Sequence, residues 1–391
     1  MLKKILLGVA FLLLLAVGFG YFTLGRIYLA TSPGTAPEDY AEQDDSRVQV
    51  PAQRELEPQP FNPLKNVYWG DVHVHTVESM DAVLFGTTAT VDDAYRFAKG
   101  GKLPSPGGEL MQLARPLDFV AITDHAEGFG LRTRCGEDDL SFVESLNCWI
   151  MEPPNVATFI VLRGGRDDDL SEAGERPIPP SGVYLKRERE PNSTANLPIC
   201  SPEYGGEERC ARDSRSDWAR YIEAADRHNE PGVFTAVSAY EVSPVLEGSG
   251  KPPRNGIFNG SQLPGHAISS FDVSNAIDLW RGLEETCTGD CDFLTIPHNM
   301  NKGWGLFYSR HTWDGDTYEP EDFRLRMRRE RLAEMYQVKG ASECALGVGA
   351  TDEECAFSQV LKPCEPGQET GCALETSFAR QGLKIGLAVS L

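Results

Sequence analysis

The sequence predicts an α/β fold on three observations. Short apolar runs alternate with stretches of helical periodicity, residues of the kind that ligate metals recur at or just past the C-terminal ends of those runs, and 41% hydrophobic against 24% charged residues leaves enough for a sizeable core. With 391 residues, the chain has room for one large α/β domain with insertions or for two to three smaller ones.

Taken in order, residues 5–25 carry no charge, and 21 helical residues at about 1.5 Å each just cover a hydrocarbon core of about 30 Å. Lys3 and Lys4 precede this run, and Glu38, Asp39, Glu42, Asp44 and Asp45 follow it. By the positive-inside rule the body then lies outside the cytoplasm. The run is long for a cleaved signal peptide and no clear A-x-A site follows. We therefore expect residues 1–30 to be a transmembrane anchor in the inner membrane, with the body on the periplasmic or extracellular side. Residues 31–65, rich in proline and acids, are expected to be a tether, and residues 66–391 the folded domain.

Within that domain Val67-Tyr68-Trp69 is expected to begin a strand. Thr90 starts a helix that Gly100-Gly101 ends, and Asp118 to Thr123 is the next strand. From about 130 to 213 the chain looks like an irregular insertion. Trp218, Tyr221, Ile222 and Ala225 recur at helical spacing, Val233 to Tyr240 reads as a strand, Ile277, Trp280 and Leu283 mark a helix, and Phe293 to Ile296 reads as a strand. The aromatic residues in these helices fit a core better than a binding box.

Ten cysteines fall in close couples: 135 with 148, 200 with 210, 287 with 291, 344 with 355, and 364 with 372. Disulfides in an oxidising compartment are expected, because no second Cys or His pair stands near Cys287 and Cys291 to complete a zinc site. A net charge of −21 opposes a protein that grips nucleic acid through bulk electrostatics.

The chemistry is concentrated at four strand ends. In Gly70-Asp-Val-His73-Val-His75, period-two geometry turns both imidazoles to one side, where they can grip one ion. Asp124-His125 follows one apolar run, Glu241 another, and His298-Asn299 a third. Were the strands parallel, as in a β/α barrel, all four ends would meet at one mouth.

These motifs, GDVHVHT, ITDH, a strand-terminal Glu and IPHN, resemble the polymerase-and-histidinol-phosphatase (PHP) superfamily of metal-dependent phosphoesterases. Within it, the DAYRFAKG, LDFVAITDHAE and VKGASE stretches are most similar to an uncharacterised PHP-like family usually described only as a domain of unknown function. The resemblance covers about Val67 to the C-terminus. It implies a distorted seven-stranded (β/α)7 barrel with two or three Zn, Mn or Fe ions. Position by position, it makes His73 and His75 ligands of a first metal, Glu241 a bridge to a second held also by His298, and Asp81 and His125 ligands of a third.

Asp124, with Asp71, is expected to orient imidazoles, and Arg254 to steady a substrate anion. The superfamily's late D-x-H pair has no counterpart, since no histidine follows His311, and KIGLAVSL reads as the approach to a further strand. A barrel incomplete at the C-terminus is therefore expected. His311 is an alternative ligand for the second metal, and His228 and His266 are expected to be ordinary core residues.

The function expected is an exported, membrane-anchored phosphoesterase that acts on a small anionic substrate through metal-activated water. An amide or lactone hydrolase on the same centre and an inactive PHP-like binding module are the alternatives.

Overall fold

A computed structural model describes residues 62–390, apart from 149–199, 245–250, 313–316 and scattered single or paired positions. The expected anchor, nearly all of the tether and most of the insertion lie outside the described residues. No helix among the described residues is long and apolar enough to cross a membrane.

Two three-stranded sheets position the site. The first joins β1 (Gly70–Val74), β2 (Phe119–Ile122) and β3 (Thr235–Val237) in the order β1-β2-β3, all parallel. The second joins β4 (Ala239–Val242), β5 (Arg254–Asn259) and β6 (Asp292–Pro297), with β5 antiparallel to both neighbours. β4 and β6 therefore run in the same direction. A single bridge between His125 and Glu241 couples the end of β2 to β4 in parallel, so the C-terminal ends of β1, β2, β4 and β6 face one region. Among the described residues the two sheets do not close into a hydrogen-bonded barrel.

The helices form where capping and periodicity favour them. Thr90 accepts from the Asp93 N–H while the Asp93 carboxylate accepts from the Thr90 N–H, a capping box that opens α2 (Val91–Ala98), the helix after the short α1 (Met80–Leu84). It stops before Gly100, whose φ of +90° suits a glycine. α3 (Gly206–His228) buries Trp218, Tyr221, Ala224 and Ala225 on one face. α4 (Ala276–Thr286) does the same with Ile277, Trp280 and Leu283, and Asn275 caps its start. These residues share one core with Tyr240 and Phe258, Trp218 meeting Tyr240 edge to face at 5.1 Å. The aromatic residues are core, as read.

Two expectations are corrected. Val67, Tyr68 and Trp69 precede β1 and are exposed. β5, a strand not expected, runs through PPRNGIF, its polar start at Arg254 and Asn255 buried by specific partners. KIGLAVSL is not a strand but part of α6 (Ala379–Ser390), because Ala, Arg, Gln, Leu and Lys are strong helix formers and outweigh the alternation of Leu383, Ile385 and Leu387. α5 (Pro320–Arg329) opens on a proline at its first turn and ends in arginines that suit the helix dipole.

All five cysteine couples are disulfides as expected, and no cysteine is free among the described residues. Five bridges fit an oxidising, extracytoplasmic environment. Cys135–Cys148 and Cys200–Cys210 lie near the two ends of the insertion and pack together.

Candidate metal centre

The centre is built around one carboxylate. Glu241, on β4, is buried, and four imidazoles surround it. Its Oε2 lies 2.8 Å from His75 Nε2 and 3.4 Å from His73 Nε2. Its Oε1 lies 3.1 Å from His298 Nε2 and 3.5 Å from His125 Nδ1. The two oxygens thus serve different histidine pairs. At one end of the cluster Asp81 reaches His75 Nδ1 and His125 Nε2, each at 3.2 Å. At the other, Glu334 Oε2 lies 2.7 Å from His73 Nδ1, and the His73 and His298 rings stand 4.1 Å apart.

Three overlapping donor sets result: His73, His298 and Glu334; His73, His75 and Glu241; His75, Asp81 and His125. Within each set the ligand atoms lie within 4.8 Å of one another.

Charge is strongly coupled here. Burial alone would depress the imidazoles, but Glu241 and Glu334 outweigh it and push His73 up to about 9, while Asp81 and Glu241 push His75 up to about 10. Burial likewise works against the charged carboxylates, yet the neighbouring histidines hold Glu241, Asp81 and Glu334 below their usual range. His125 is raised by Glu241 and Asp81 against its burial. His298 is lowered, because burial outweighs Glu241.

Several contacts at the centre are close without being hydrogen bonds. His298 Nε2 and His125 Nδ1 approach Glu241 Oε1, yet neither atom has a hydrogen-bond partner, and both are buried. Buried polar atoms without partners are costly. Imidazole nitrogens and carboxylate oxygens gathered this closely, some of them without hydrogen-bond partners, suit a cation held among them. The donor set of imidazole and carboxylate suits Zn, Mn or Fe.

All six residues expected as ligands, His73, His75, Asp81, His125, Glu241 and His298, come together. Glu334 was missed. It lies just past α5 in RLAEMYQV, where no apolar run announces a strand, although its N–H bonds to Pro297 O beside the end of β6. An acid shortly after a helix was the only signal available. Ser243 was missed too: its hydroxyl donates to Glu241 Oε1.

The two residues expected to be catalytic are corrected. Asp124 touches no imidazole; it accepts from the Thr76 N–H and hydroxyl at 2.6 Å each, from the Ser79 hydroxyl at 2.5 Å, and from the Tyr221 hydroxyl. It braces the loop after β1, and the Ser79 hydroxyl in turn accepts from the His125 N–H at 3.1 Å. Asp71 likewise accepts from the His73 backbone N–H rather than its ring. Arg254 is buried, donating to Glu330 at 2.6 Å and to Pro252 O at 3.0 Å, with Phe307 under its guanidinium. The cavity beside it is about 10 Å³, room for one water and not for a phosphate. The charge of Arg254 is thus paired within the fold.

His311 pairs with Thr317 and joins none of the three donor sets among the described residues. His228 stacks on Tyr95 and approaches Asp92, away from the centre.

Fold and site together define a disulfide-braced protein of mixed helices and small sheets, with a partly buried imidazole–carboxylate cluster at one end of its strands. Residues 62–391 match the model of a family described as "Protein of unknown function (DUF3604)", and the chain belongs to that family. Neither a curated protein nor a solved structure matches the chain.

Proposed function

We propose that the protein is an exported, membrane-anchored hydrolase that uses two or three divalent ions (Zn, Mn or Fe) to cleave a phosphoester of a small anionic substrate. The observation that carries this reading is the division of Glu241, one oxygen toward His73 and His75 and the other toward His298 and His125. A carboxylate shared in this way is what a bridged multi-metal centre needs. The likeness of the GDVHVHT, ITDH and IPHN motifs to PHP phosphoesterases supports the reaction class.

When bound, such ions supply a water whose pKa is lowered toward about 7 and neutralise charge on the phosphoryl oxygens. The chain's own part is positional. Glu241 is held by the Ser243 hydroxyl, Asp81 and Glu334 close the two ends, and the Asp124 brace fixes the backbone that carries His75 and His125. Arg254 has no part in substrate binding, so any phosphate charge is met at the ions.

The test is metal content by mass spectrometry on the full chain, produced in an oxidising compartment, beside His73→Ala and His298→Ala. About two or three ions per wild-type chain, with fewer in both variants, is expected. Release of nitrophenol from phosphate mono- and diesters, against an anilide and a lactone, then separates phosphoesterase from the other hydrolases. Metal content near zero in all three proteins would favour a binding module and sink the proposal.

A further inference from the structure

The end of the strands opposite the imidazole cluster exposes several large apolar side chains. β1 begins at Gly70 and carries its histidines at the far end. At about 3.3 Å per residue, Trp69 therefore lies about 20 Å from His75. Val67, Tyr68 and Trp69 are 74%, 52% and 58% exposed.

A two-stranded ribbon, Leu103–Pro104 with Leu110–Met111, belongs to the same end, since it fills the connection between the close of α2 and the start of β2. Gly70 pairs there with Phe119, so closely that a Cβ would meet the Phe119 carbonyl at 2.3 Å. Leu110 and Met111 are exposed as well.

Trp69 is held firmly. Its N–H donates to the Asp118 carboxylate, its carbonyl accepts from the Asp118 N–H, both at 2.7 Å, and Arg115 pairs with the same carboxylate at 3.3 Å. Between residues 65 and 69 and between 102 and 118, the bases are Lys65, Lys102 and Arg115 and the acids Glu109 and Asp118. These two segments carry one more base than acids in a chain of net charge −21.

We propose that Val67, Tyr68, Trp69, Leu110 and Met111, flanked by Lys65, Lys102 and Arg115, dock the body on the surface of the bilayer. Tyr and Trp favour the headgroup level, aliphatic side chains enter the acyl boundary, and bases meet lipid phosphates. A bilayer is favoured over a second copy because the face directly follows the part of the chain that leads back to the uncharged run 5–25. Only 40 residues, 26–65, separate the run from the body. A chain of that length has an r.m.s. span of about 33 Å when it behaves as a coil. With the run inserted, the bilayer is a tethered partner, and a weak contact suffices.

The inference rests on the anchor in the proposed function and deepens it. Docked at this end, the cluster points away from the membrane, about 20 Å above it, so its substrate is a water-soluble phosphoester and not a lipid headgroup.

The test uses the full chain in phosphatidylcholine–phosphatidylglycerol vesicles, with or without lipid brominated near the headgroup end of the acyl chain. Wild type is compared with Trp69→Phe, which isolates one of the six tryptophans. A ring about 5–10 Å deep in the boundary should lose about half of its emission to bromine. Trp69→Phe should abolish that component, and Leu110→Asp with Met111→Asp should suppress it, with metal content unchanged as the sign of a folded chain.

Alkaline extraction separates the two readings. A chain that stays with the vesicles while Trp69 is unquenched overturns the docking face and leaves the anchor standing. One that is released and unquenched overturns both, while release with quenching before extraction supports the face without the anchor. Trp69 shielded from iodide but untouched by brominated lipid would indicate contact between copies and overturn the inference.

Discussion

Glu241 and Asp124 are both buried carboxylates at strand ends, yet they live in opposite surroundings. Asp124 takes four donated hydrogen bonds from Thr76, Ser79 and Tyr221, every one from a neutral group. Glu241 faces four imidazoles, and the nitrogens nearest its Oε1 make no hydrogen bond to it. A fully satisfied carboxylate is a brace, because its energy is already spent in the fold. One surrounded by imperfectly paired bases is placed for something that replaces the protons.

Exchanging each carboxylate for its amide gives the largest expected separation. Asp124→Asn leaves donors facing a donor and should cost about 2–4 kcal/mol in thermal or urea unfolding, while the folded fraction keeps its metal. Glu241→Gln should reduce metal affinity by more than about 100-fold, a larger loss than the 10–100-fold expected for an outer partner. If Asp124→Asn emptied the site of a stably folded chain, the distinction between brace and ligand would fail.

Arg254 extends the contrast to a third buried charge. Its pairing with Glu330, which also receives Arg326 at 2.7 Å, is internal to the fold. Arg254→Ala should destabilise by about 1.5–3 kcal/mol, since it removes a charged hydrogen bond and leaves the buried Glu330 to Arg326 alone. KM for any phosphoester turned over should not move. A raised KM with unchanged stability would restore the residue to the substrate.

pH separates a metal centre from a bare ion-pair cluster. In the metal-free chain His73 and His75 are raised from 6.5 to about 9 and about 10. A folded-state pKa above the unfolded one means that the protonated rings stabilise the fold. That contribution is complete below about pH 6.5 and is lost as pH rises through about 9 to 10. Seen from Glu241, Asp81 and Glu334, all held low, the same pairs fail only as pH falls through the acid range. Metal ions take neutral imidazole, so loaded protein should lack the alkaline decline. Unfolding midpoints with and without chelator should therefore diverge as pH rises. Curves that superimpose would identify the cluster as plain ion pairs.

The same contrast explains what could be read from residues alone. His73 and His75 were legible from their period-two spacing, and His125, Glu241 and His298 because each follows an apolar run whose strand direction brings its end to a common place. Trp218 and Trp280 were legible as core from helical spacing. Glu334 was not, since it stands on an irregular segment that only tertiary contact with Pro297 brings to the cluster. Asp124 and Arg254 were misread for one reason: a charged residue near a strand end looks alike whether it faces the site or a partner inside the fold. β5 was hidden because its Arg254, Asn255 and Gly256 carry no apolar pattern, their burial being satisfied by Glu330 and by Val72 O.

Ser243 gives the finest resolution of the comparison. Its hydroxyl is a donor to Glu241 Oε1, the oxygen that otherwise has only imperfectly directed imidazoles, and its own N–H is fixed by Glu127 at 3.0 Å. If Glu241 is a ligand, Ser243 is the partner that orients it, and such partners are worth about tenfold or more in metal affinity. Ser243→Ala should therefore weaken metal binding about tenfold, about 1.4 kcal/mol, with little change in the stability of the chelated chain. Ser243→Thr, which keeps the hydroxyl, should recover most of the affinity. Equal loss in both variants would trace the effect to crowding beside β4 and not to the hydroxyl, whereas a selective rescue would place the orienting bond on Glu241.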